Sequence, residues 1–314
     1  MISGILPIIK PAGMTSASAV LNARIILGES RIGHSGTLDP NAAGVLPIAL
    51  GRATRLIEYM DAPFKTYRCE CTLGTVTATD DIWAEPVGGA RLDGSWEGMK
   101  KPSERELREV LGGFLGESFQ MPPAYSSVRV NGRHLYQYAR SGQEVEVKPR
   151  RVEIRRMELI SYDAEKGTFL FDIDCSRGTY VRTVCREIGE RLGTGACMSC
   201  LIRTSCCGFS IDECVTFEQL AASAEPKTLL LPAERAAVGL QRLEIASPFH
   251  ERLFCGGNPV SFEKARIRAP EGLPEGEPAA VFGLERGFLG VAAKAAGEGG
   301  FVLKPVKITY DGPL

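Results

Sequence analysis

The sequence predicts an α+β fold in two domains, and three observations lead to this prediction. The chain has 314 residues, more than one hydrophobic core usually organises. Its strand-like and helix-like segments follow one another without regular β-α-β alternation. From about Pro232 the composition changes, and residues 265–300 are rich in Ala, Gly, Pro and Glu. We therefore expect one domain over residues 1–235 and a second over residues 236–314.

Three segments of the first domain have helix-type periodicity together with helix boundary signals. They are residues 15–27, 103–114 and 179–192. Ser16 or Ser18 can cap the first helix, and Gly28 ends it. The second begins with the capping box Ser103-x-x-Glu106, and a glycine also follows the third.

Strand-type patterns lie between and after these helices. The candidates in the first domain are residues 45–50, 67–73, 127–130, 152–162 and 168–175. Asn131-Gly132 is a hairpin-type turn signal, and Lys166-Gly167 separates the last two strands. Strand-like pieces at 279–282, 287–291 and 301–306 predict that the second domain is a small β domain.

Composition and cysteine spacing limit the class of protein. No stretch approaches the roughly 20 apolar residues of a membrane span, and the N-terminus lacks the basic region of a signal peptide, so we expect a cytoplasmic protein. The ten cysteines do not have the spacing of a small disulfide scaffold. Cys197-x-x-Cys200 followed by Cys206-Cys207 raises a structural zinc site as an alternative, but a second CxxC and a nearby histidine are missing. Free thiols without metal are the preferred interpretation.

The overall charge and the local charge distribution point in opposite directions on whether the protein binds nucleic acid. The net charge of −1 and the pI of about 6.4 argue weakly against it. Residues 129–156, however, contain eight Lys or Arg and three Asp or Glu. On its own such a run is most simply a solvated face.

One glycine-rich stretch, residues 31–55, contains a single acid, Asp39, and a single histidine, His34. Glycines and prolines divide it into turns, and an apolar strand follows. This is how a scaffold presents one carboxylate to a substrate. The simpler interpretation is that Asp39-Pro40 only initiates a turn.

The neighbours of Asp39 favour the functional interpretation, because residues 33–55 closely resemble the catalytic loop of TruB-type tRNA pseudouridine synthases. Five further segments match motifs of that family in the family order, over roughly the first 205 residues. They are KPAGMTS at 10–16, KTYR at 65–68, PPAYSS at 122–127, LYQYAR at 135–140 and CSRGTYVRT at 175–183.

The resemblance implies a pseudouridine-synthase core with a mixed, largely antiparallel central sheet, flanking helices and an active-site cleft. A weaker match at 253–260 resembles the start of a PUA-type RNA-binding module, a small C-terminal β-barrel. A small β domain that packs on the core and binds nothing is the alternative. Within this family the basic stretch 129–156 becomes a candidate phosphate-contacting surface.

The resemblance also assigns roles to three catalytic candidates. Asp39 is the nucleophile, and Arg182 is the cation beside it that favours its ionised form. Tyr67 is a stacking platform for the uracil and a plausible proton acceptor. Without the motif, we would prefer a core tyrosine for Tyr67 and a surface helix charge for Arg182.

Further residues are implied to contact the RNA. Tyr180 and Leu201 match positions that contact the target nucleotide, although each alone would more often be a core residue. His34, on what we expect to be an exposed loop, is suited to fill the gap left by an extruded base. Lys10 is expected to order a loop or contact phosphate.

One segment departs from the family pattern. The family usually has T-D-T-x-D-x-x-G where this chain has TATDDIWA at 77–84. Ala78 replaces the first acid, Asp81 stands at the second, and Ala84 replaces the glycine. We assign no catalytic role to this segment, and its loop geometry is an open question.

The predicted function is isomerisation of uridine 55 in the tRNA T-loop to pseudouridine. The expected partner is the tRNA T-stem-loop, bound by a monomer without an obligatory protein partner, membrane, cofactor or metal. One alternative is a non-catalytic RNA-binding or tRNA-folding protein on the same scaffold. Another is the related enzyme that modifies ribosomal RNA within a guide-RNA complex, although this compact chain lacks long basic tails.

Overall fold

The computed structural model describes residues 3–60, 62–88, 101–269, 272–298, 300–310 and 312. Its strands, in chain order, are β1 (Gly4–Lys10), β2 (Ile32–His34), β3 (Ala43–Leu50), β4 (Phe64–Leu73), β5 (Val76–Thr77), β6 (Pro86–Gly88), β7 (Gly116–Gln120), β8 (Arg129–Val130), β9 (Arg133–His134), β10 (Arg150–Asp163), β11 (Thr168–Ser176), β12 (Ala196–Cys206), β13 (Phe209–Ser210), β14 (Gln241–Ile245), β15 (Val260–Ser261), β16 (Pro278–Gly283), β17 (Gly287–Gly297) and β18 (Gly300–Ile308).

The helices are mostly short. The α-helices are α1 (Ser16–Leu27), α2 (Glu104–Gly112), α3 (Leu135–Arg140), α4 (Val181–Leu192), α5 (Phe217–Ala222) and α6 (Pro248–Cys255). The 3-10 helices are Gly51–Tyr59, Ile211–Glu213, Pro226–Leu229 and Ala233–Ala237. Within the described ranges, no helix is both long enough and apolar enough to cross a bilayer.

A nine-stranded mixed sheet forms the centre of the molecule, which confirms the α+β prediction. Its main order is β1-β3-β12-β4-β11-β10-β7, with β2 added to β3 and β13 added to β12. The β3–β12 pair is parallel and the others are antiparallel. Strand β12, from much later in the chain, therefore lies between two strands that are consecutive in sequence, β3 and β4.

Helices cover the sheet and close its hydrophobic cores. The apolar residues of α2 and α4 form one core with alternate residues of β4, β10 and β11, including Cys69, Phe171 and Ile188. Helix α1 contributes Ala19 and Ala23 to a second core with β1 and β3. Burial of these side chains is the main stabilising contribution expected for such a sheet.

The three predicted helices are present as α1, α2 and α4, with differences at their ends. Thr15, and neither Ser16 nor Ser18, is the N-cap of α1, because its side chain accepts the Ser18 N–H at 3.0 Å. Ser16 is buried and bonds Leu38 instead. Gly28 ends α1 in the left-handed conformation (φ 62°), where its lack of a Cβ removes the steric penalty.

The second predicted helix has its capping box and ends at Gly112, before Phe114. The expected hairpin is also present. Asn131 and Gly132, both with positive φ, connect β8 to β9.

The C-terminal residues form a second, five-stranded sheet in the order β14-β16-β17-β18-β15. In the described residues this sheet is open, so the implied closed barrel is not observed. Residues 253–260, which resemble the start of a PUA-type module, comprise the end of α6 (Pro248–Cys255) and the first residue of β15. Proline at the first helical position has no N–H to lose and favours the start of α6 there.

The second sheet contacts the first through the 3-10 helix Gly51–Tyr59. Arg52 donates to the Tyr310 carbonyl and Arg55 donates to the Ile308 carbonyl at 3.2 Å. Lys307 pairs with Glu58 at 3.0 Å. The C-terminal sheet is therefore attached to the element that follows the Asp39 loop and β3.

Candidate active site

Asp39 and Arg182 form an ion pair at the centre of the candidate site. Asp39 lies in the turn between β2 and β3, and Arg182 is the second residue of α4. Arg182 Nε donates to Asp39 Oδ2 at 2.8 Å. The side chain of Arg182 is 6% exposed and that of Asp39 is 40% exposed. A buried cation therefore holds a carboxylate that solvent or a substrate can reach.

The other nitrogens of Arg182 are held by backbone carbonyls. Its Nη1 donates to Thr79 O at 2.9 Å and its Nη2 donates to Tyr125 O at 3.0 Å. These bonds use the planar, multi-donor geometry of the guanidinium. They link the Asp39 turn to two separate loops, so the orientation of Asp39 depends on the position of all three.

These loops enclose a cavity of about 270 Å³. Its lining consists of Asp39, Pro40, Asn41, Thr79, Asp81, Trp83, Ala84, Tyr125 and Arg182. Of the predicted site residues, Asp39 and Arg182 belong to this lining. Burial raises the pKa of Asp81, and the negative charge of Asp39 raises it further, whereas the Trp83 N–H and Arg182 lower it.

Tyr67 and Leu201 lie in the hydrophobic core beside the cavity. They are 9% and 7% exposed and belong to the same buried cluster as Leu38, the residue before Asp39. In this conformation Tyr67 is therefore packed as a core residue, as the alternative interpretation expects. Burial raises the pKa of Tyr67, so its hydroxyl is a neutral phenol at neutral pH.

Arg203 is a residue that the sequence analysis missed. It is completely buried on β12 and donates to Val45 O at 2.8 Å, to Gly36 O at 2.7 Å and to Thr37 O at 3.4 Å. The signal was one basic residue at an inward-facing position of an apolar strand, two residues after Leu201. Arg203 therefore fixes the first half of the Asp39 loop from inside.

Lys10 fixes the second half of that loop. Its Nζ donates to Pro11 O at 2.8 Å, to Met14 O at 2.6 Å and to Pro40 O at 3.0 Å. Burial lowers its pKa to about 8, partly opposed by the charge of Asp39. All three N–H donors are used, so of the two expected roles this geometry supports loop ordering over phosphate contact.

The backbone of Tyr180 is clamped by Gln120, a second residue that the sequence analysis missed. Gln120 Oε1 accepts the Tyr180 N–H at 2.8 Å, and its Nε2 donates to Tyr180 O at 3.2 Å. Tyr180 is the N-cap of α4, two residues before Arg182. The clamp therefore positions the first turn of the helix that supplies Arg182. A glutamine at the end of β7 gives no local sequence signal for this contact.

His34 is less exposed than expected. It is the last residue of β2 and is half-buried, and it does not belong to the cavity lining. Its Nδ1 is buried without a hydrogen-bond partner among the described residues. Burial lowers the pKa of His34, and nearby Arg203 lowers it further, so the neutral imidazole is favoured.

The departing segment 77–84 has a well-defined geometry. The Thr77 hydroxyl donates to Asp81 O at 2.9 Å, and Asp81 forms a bridge to Met198 on β12. Asp80, with φ 59°, takes the left-handed conformation that a glycine would favour. Ala84 does not have a positive φ, so the chain does not require glycine there.

The four thiols proposed as an alternative zinc site differ in their exposure. Cys197 is buried and Cys200 is exposed. Cys206 and Cys207 are adjacent, with Sγ atoms 3.3 Å apart. Among the described residues, no three His, Cys, Asp or Glu are placed to hold one metal ion.

Comparisons with known proteins agree with these features. The model of the TruB family pseudouridylate synthase N-terminal domain matches residues 24–181, and that of the tRNA pseudouridylate synthase B C-terminal domain matches residues 182–238. The tRNA pseudouridine synthase B of Geobacillus thermodenitrificans (strain NG80-2) is 40% identical, covering 97% of this chain and 99% of its own. That of Bacillus subtilis (strain 168) is 38% identical, covering 98% of both.

A solved structure shares the fold at low sequence identity. The chain resembles one in a Cbf5-Nop10-Gar1 complex with a TM-score of 0.73 and 22% identity. The similarity covers 98% of this chain and 84% of the other. It supports the architecture of the mixed sheet and its flanking helices.

Proposed function

The chain belongs to the TruB family of pseudouridylate synthases, and we propose that it converts uridine 55 in the T-loop of tRNA to pseudouridine with Asp39 as the nucleophile. Conversion of uridine to pseudouridine in tRNA is the activity of the family. The Arg182–Asp39 pair at the cavity carries the assignment of the nucleophile.

The reaction is a rearrangement in which atoms and electrons balance within the substrate. The bond from C1′ of the ribose to N1 of the uracil breaks, the base turns, and a bond from C1′ to C5 forms. The C5 proton leaves to a base, and N1 gains a proton. The protein must therefore stabilise an electron-deficient C1′, retain the detached uracil and move a proton.

Asp39 is suited to the first of these tasks. A carboxylate can attack an electron-deficient sugar carbon or stabilise it electrostatically. Arg182 restricts the orientation of Asp39 through the 2.8 Å hydrogen bond. The cavity beside them is large enough to admit part of an extruded nucleotide, as base-modifying enzymes require.

Retention of the uracil is the role that we propose for Tyr67, with Leu201 and Tyr180 as further contacts. The ring of Tyr67 is 9% exposed, so stacking requires that RNA binding uncover it. The positive charge of Arg203 favours the phenolate and partly offsets the effect of burial on the pKa of Tyr67. Tyr67 can therefore accept the C5 proton only after it has transiently lost its own. His34 would fill the space of the extruded base.

The remaining RNA contacts are proposed from charge. Exposed arginines on β10 lie in the basic stretch 129–156, although Arg151, Arg155 and Arg156 pair with Glu117, Glu153 and Glu158. Phosphates can compete for exposed arginines because such ion pairs contribute little stability. We further propose that residues 236–314 form a PUA-like RNA-binding domain beside a catalytic domain of residues 1–235. In this proposal a monomer binds the T-stem-loop without a protein partner.

The test is incubation of the purified protein with an unmodified tRNA transcript, followed by nuclease digestion and nucleoside mapping. We expect mass-neutral conversion of one T-loop uridine, lost in Asp39→Ala and retained in a control variant of an exposed carboxylate, Glu218→Gln. Binding without conversion would support the alternative of a non-catalytic RNA-binding protein. Conversion at another tRNA uridine would overturn the position assigned here.

A further inference from the structure

Trp83 is a large aromatic side chain displayed at the edge of the Asp39 cavity. It is 70% exposed and yet belongs to the cavity lining together with Asp39 and Arg182. Tryptophan is mostly buried in folded proteins, and exposed apolar surface beside a polar cleft commonly marks a binding site. Because Trp83 is exposed, packing in a hydrophobic core does not explain why a tryptophan is present at this position.

The backbone that carries Trp83 is fixed on both sides. The Trp83 N–H donates to Asp81 Oδ1 at 3.1 Å, and the Ala84 N–H donates to Asp81 O at 3.1 Å. The Ile82 N–H donates to Met198 O on β12 at 2.8 Å. The ring therefore projects from a turn attached to the central sheet, which lowers the entropy that a ligand must remove on binding.

The position of the ring favours a nucleobase as its occupant. An enzyme that extrudes a uridine leaves the bases next to it with one unstacked face. Aromatic side chains stack on such faces with little dependence on base identity. Trp83 is an exposed residue of the same cavity lining as Asp39 and Arg182, so a base next to the extruded nucleotide would lie within its reach.

A protein partner is the competing occupant of this surface, because Ile82 and Val87 in the same segment are also exposed. The shared cavity with Asp39 favours RNA, since the nucleotide must reach this place for the reaction to occur. We propose that Trp83 is a stacking platform for an unpaired base of the substrate RNA, next to the uridine that enters the cavity. This inference rests on the proposed function.

The first experiment measures affinity and turnover of a T-stem-loop RNA. We expect Trp83→Ala to raise Kd by about 5- to 150-fold, the usual effect of removing one stacking ring. Trp83→Phe should recover most of this loss, and kcat at saturating RNA should change less than about threefold. Ile25→Ala is the matched control, because Ile25 is also 70% exposed but lies on α1, outside the cavity lining.

The salt dependence of binding separates stacking from charge. The slope of log Kd against log salt reports how many phosphates the protein contacts. Trp83→Ala should weaken binding without changing this slope, whereas Arg155→Ala in the basic stretch should reduce it if that arginine contacts phosphate. A lower slope in Trp83→Ala would mean that the loop has moved and that the affinity loss is indirect.

The second experiment observes the ring directly. The chain has two tryptophans, Trp83 and Trp96, and Trp96 lies outside the described residues. In an Asp39→Ala, Trp96→Phe protein, which retains Trp83 alone, we expect the T-stem-loop RNA to quench the fluorescence on binding.

Absence of quenching in a protein that binds the RNA, or equal affinity of Trp83→Ala and Ile25→Ala, would overturn the inference and leave the proposed function intact. The opposite result is that the RNA quenches the fluorescence and Trp83→Ala weakens binding, but the protein with Asp39 intact converts no uridine. The stacking site would stand, and the proposed function would fail.

Discussion

Arg203 and Tyr67 lie opposite each other on adjacent antiparallel strands, and one guanidinium connects the tyrosine to the loop that carries Asp39. In the register of β12 with β4 the two residues are direct partners. The charge of Arg203 partly offsets the effect of burial on the pKa of Tyr67, and the same guanidinium donates to Gly36 O at 2.7 Å and to Thr37 O at 3.4 Å. The proposed platform and the proposed nucleophile loop thus share one buried support.

Arg203→Lys should lower kcat strongly because an ammonium cannot reproduce the planar donor geometry by which the guanidinium reaches the carbonyls of Val45, Gly36 and Thr37. Each buried acceptor left without a donor costs about 1–3 kcal/mol of stability. We therefore expect a lower free energy of unfolding in urea as well as a lower kcat. Arg105→Lys, at an exposed arginine on α2 to which we assign no role, is the control. Unchanged kcat in a folded Arg203→Lys protein would contradict the supporting role.

Arg182→Lys should lower kcat by about 100- to 1,000-fold, the usual effect of removing one preorganised donor from an active site. Lysine retains the charge but cannot hold Asp39 while also bonding the Thr79 and Tyr125 carbonyls. KM for tRNA should change less than about threefold, because we place Arg182 against Asp39 and away from the phosphates. Single-turnover kinetics would measure the chemical step.

The control for this prediction is Arg186→Lys, one turn further along α4. Arg186 pairs with Asp80 and Glu190 and is 33% exposed. We expect its kcat to stay close to that of the unchanged protein. Equal losses in the two variants would indicate a general disturbance of α4.

Tyr67→Phe and Tyr67→Leu should separate the two roles proposed for this ring. Phenylalanine retains a stacking face but loses the hydroxyl, so we expect kcat to fall by about 100- to 10,000-fold, the usual range for acid–base groups, with little change in KM. Leucine also removes the aromatic face and should raise KM. If Tyr67→Phe retains more than half of the kcat, stacking alone is its role.

Local patterns predicted most of the helices and strands, since caps, glycines and alternation act over a few residues. The N-cap of α1 was wrong because Ser16 is engaged by Leu38, a contact across 22 positions of the chain. The pairing of Asp39 with Arg182 spans 143 positions and followed only from the family resemblance. Gln120 was missed because its partners are backbone atoms, which leave no residue-type signal in the sequence. The only signal for Arg203 was its basic side chain at an inward-facing position of β12.

In the C-terminal residues, local sequence patterns failed to predict some of the secondary structure. The resemblance at 253–260 gave no indication of helix α6, whose last residues lie in this run. Strand β14 lay outside the predicted strands and became an edge of the second sheet through parallel pairing with β16. Such long-range pairing decides structure where local patterns are weak.

Lys10 should give the activity an alkaline limit near pH 8. Its pKa is lowered from 10.5 to about 8, so above that pH the ammonium loses one of the three N–H donors that hold the carbonyls of Pro11, Met14 and Pro40. Pro40 follows Asp39, and a looser turn should misplace the carboxylate. We expect kcat to decrease above about pH 8, and constant kcat up to pH 9.5 would contradict this.

Deprotonation of Lys10 should increase folding stability while it decreases kcat. Comparing the two pH dependences therefore distinguishes loosening of the Asp39 turn from unfolding. Because the pKa of Lys10 is lower in the folded than in the unfolded chain, the unfolded chain binds more protons between about pH 8 and 10.5. The contribution of Lys10 to folding stability therefore increases with pH across that window. Compared with Lys10→Met, which lacks this titration, the unchanged protein should gain free energy of unfolding from pH 8 to 10 while its kcat falls. A parallel loss of both would mean that the alkaline limit is unfolding and that Lys10 does not control the Asp39 turn.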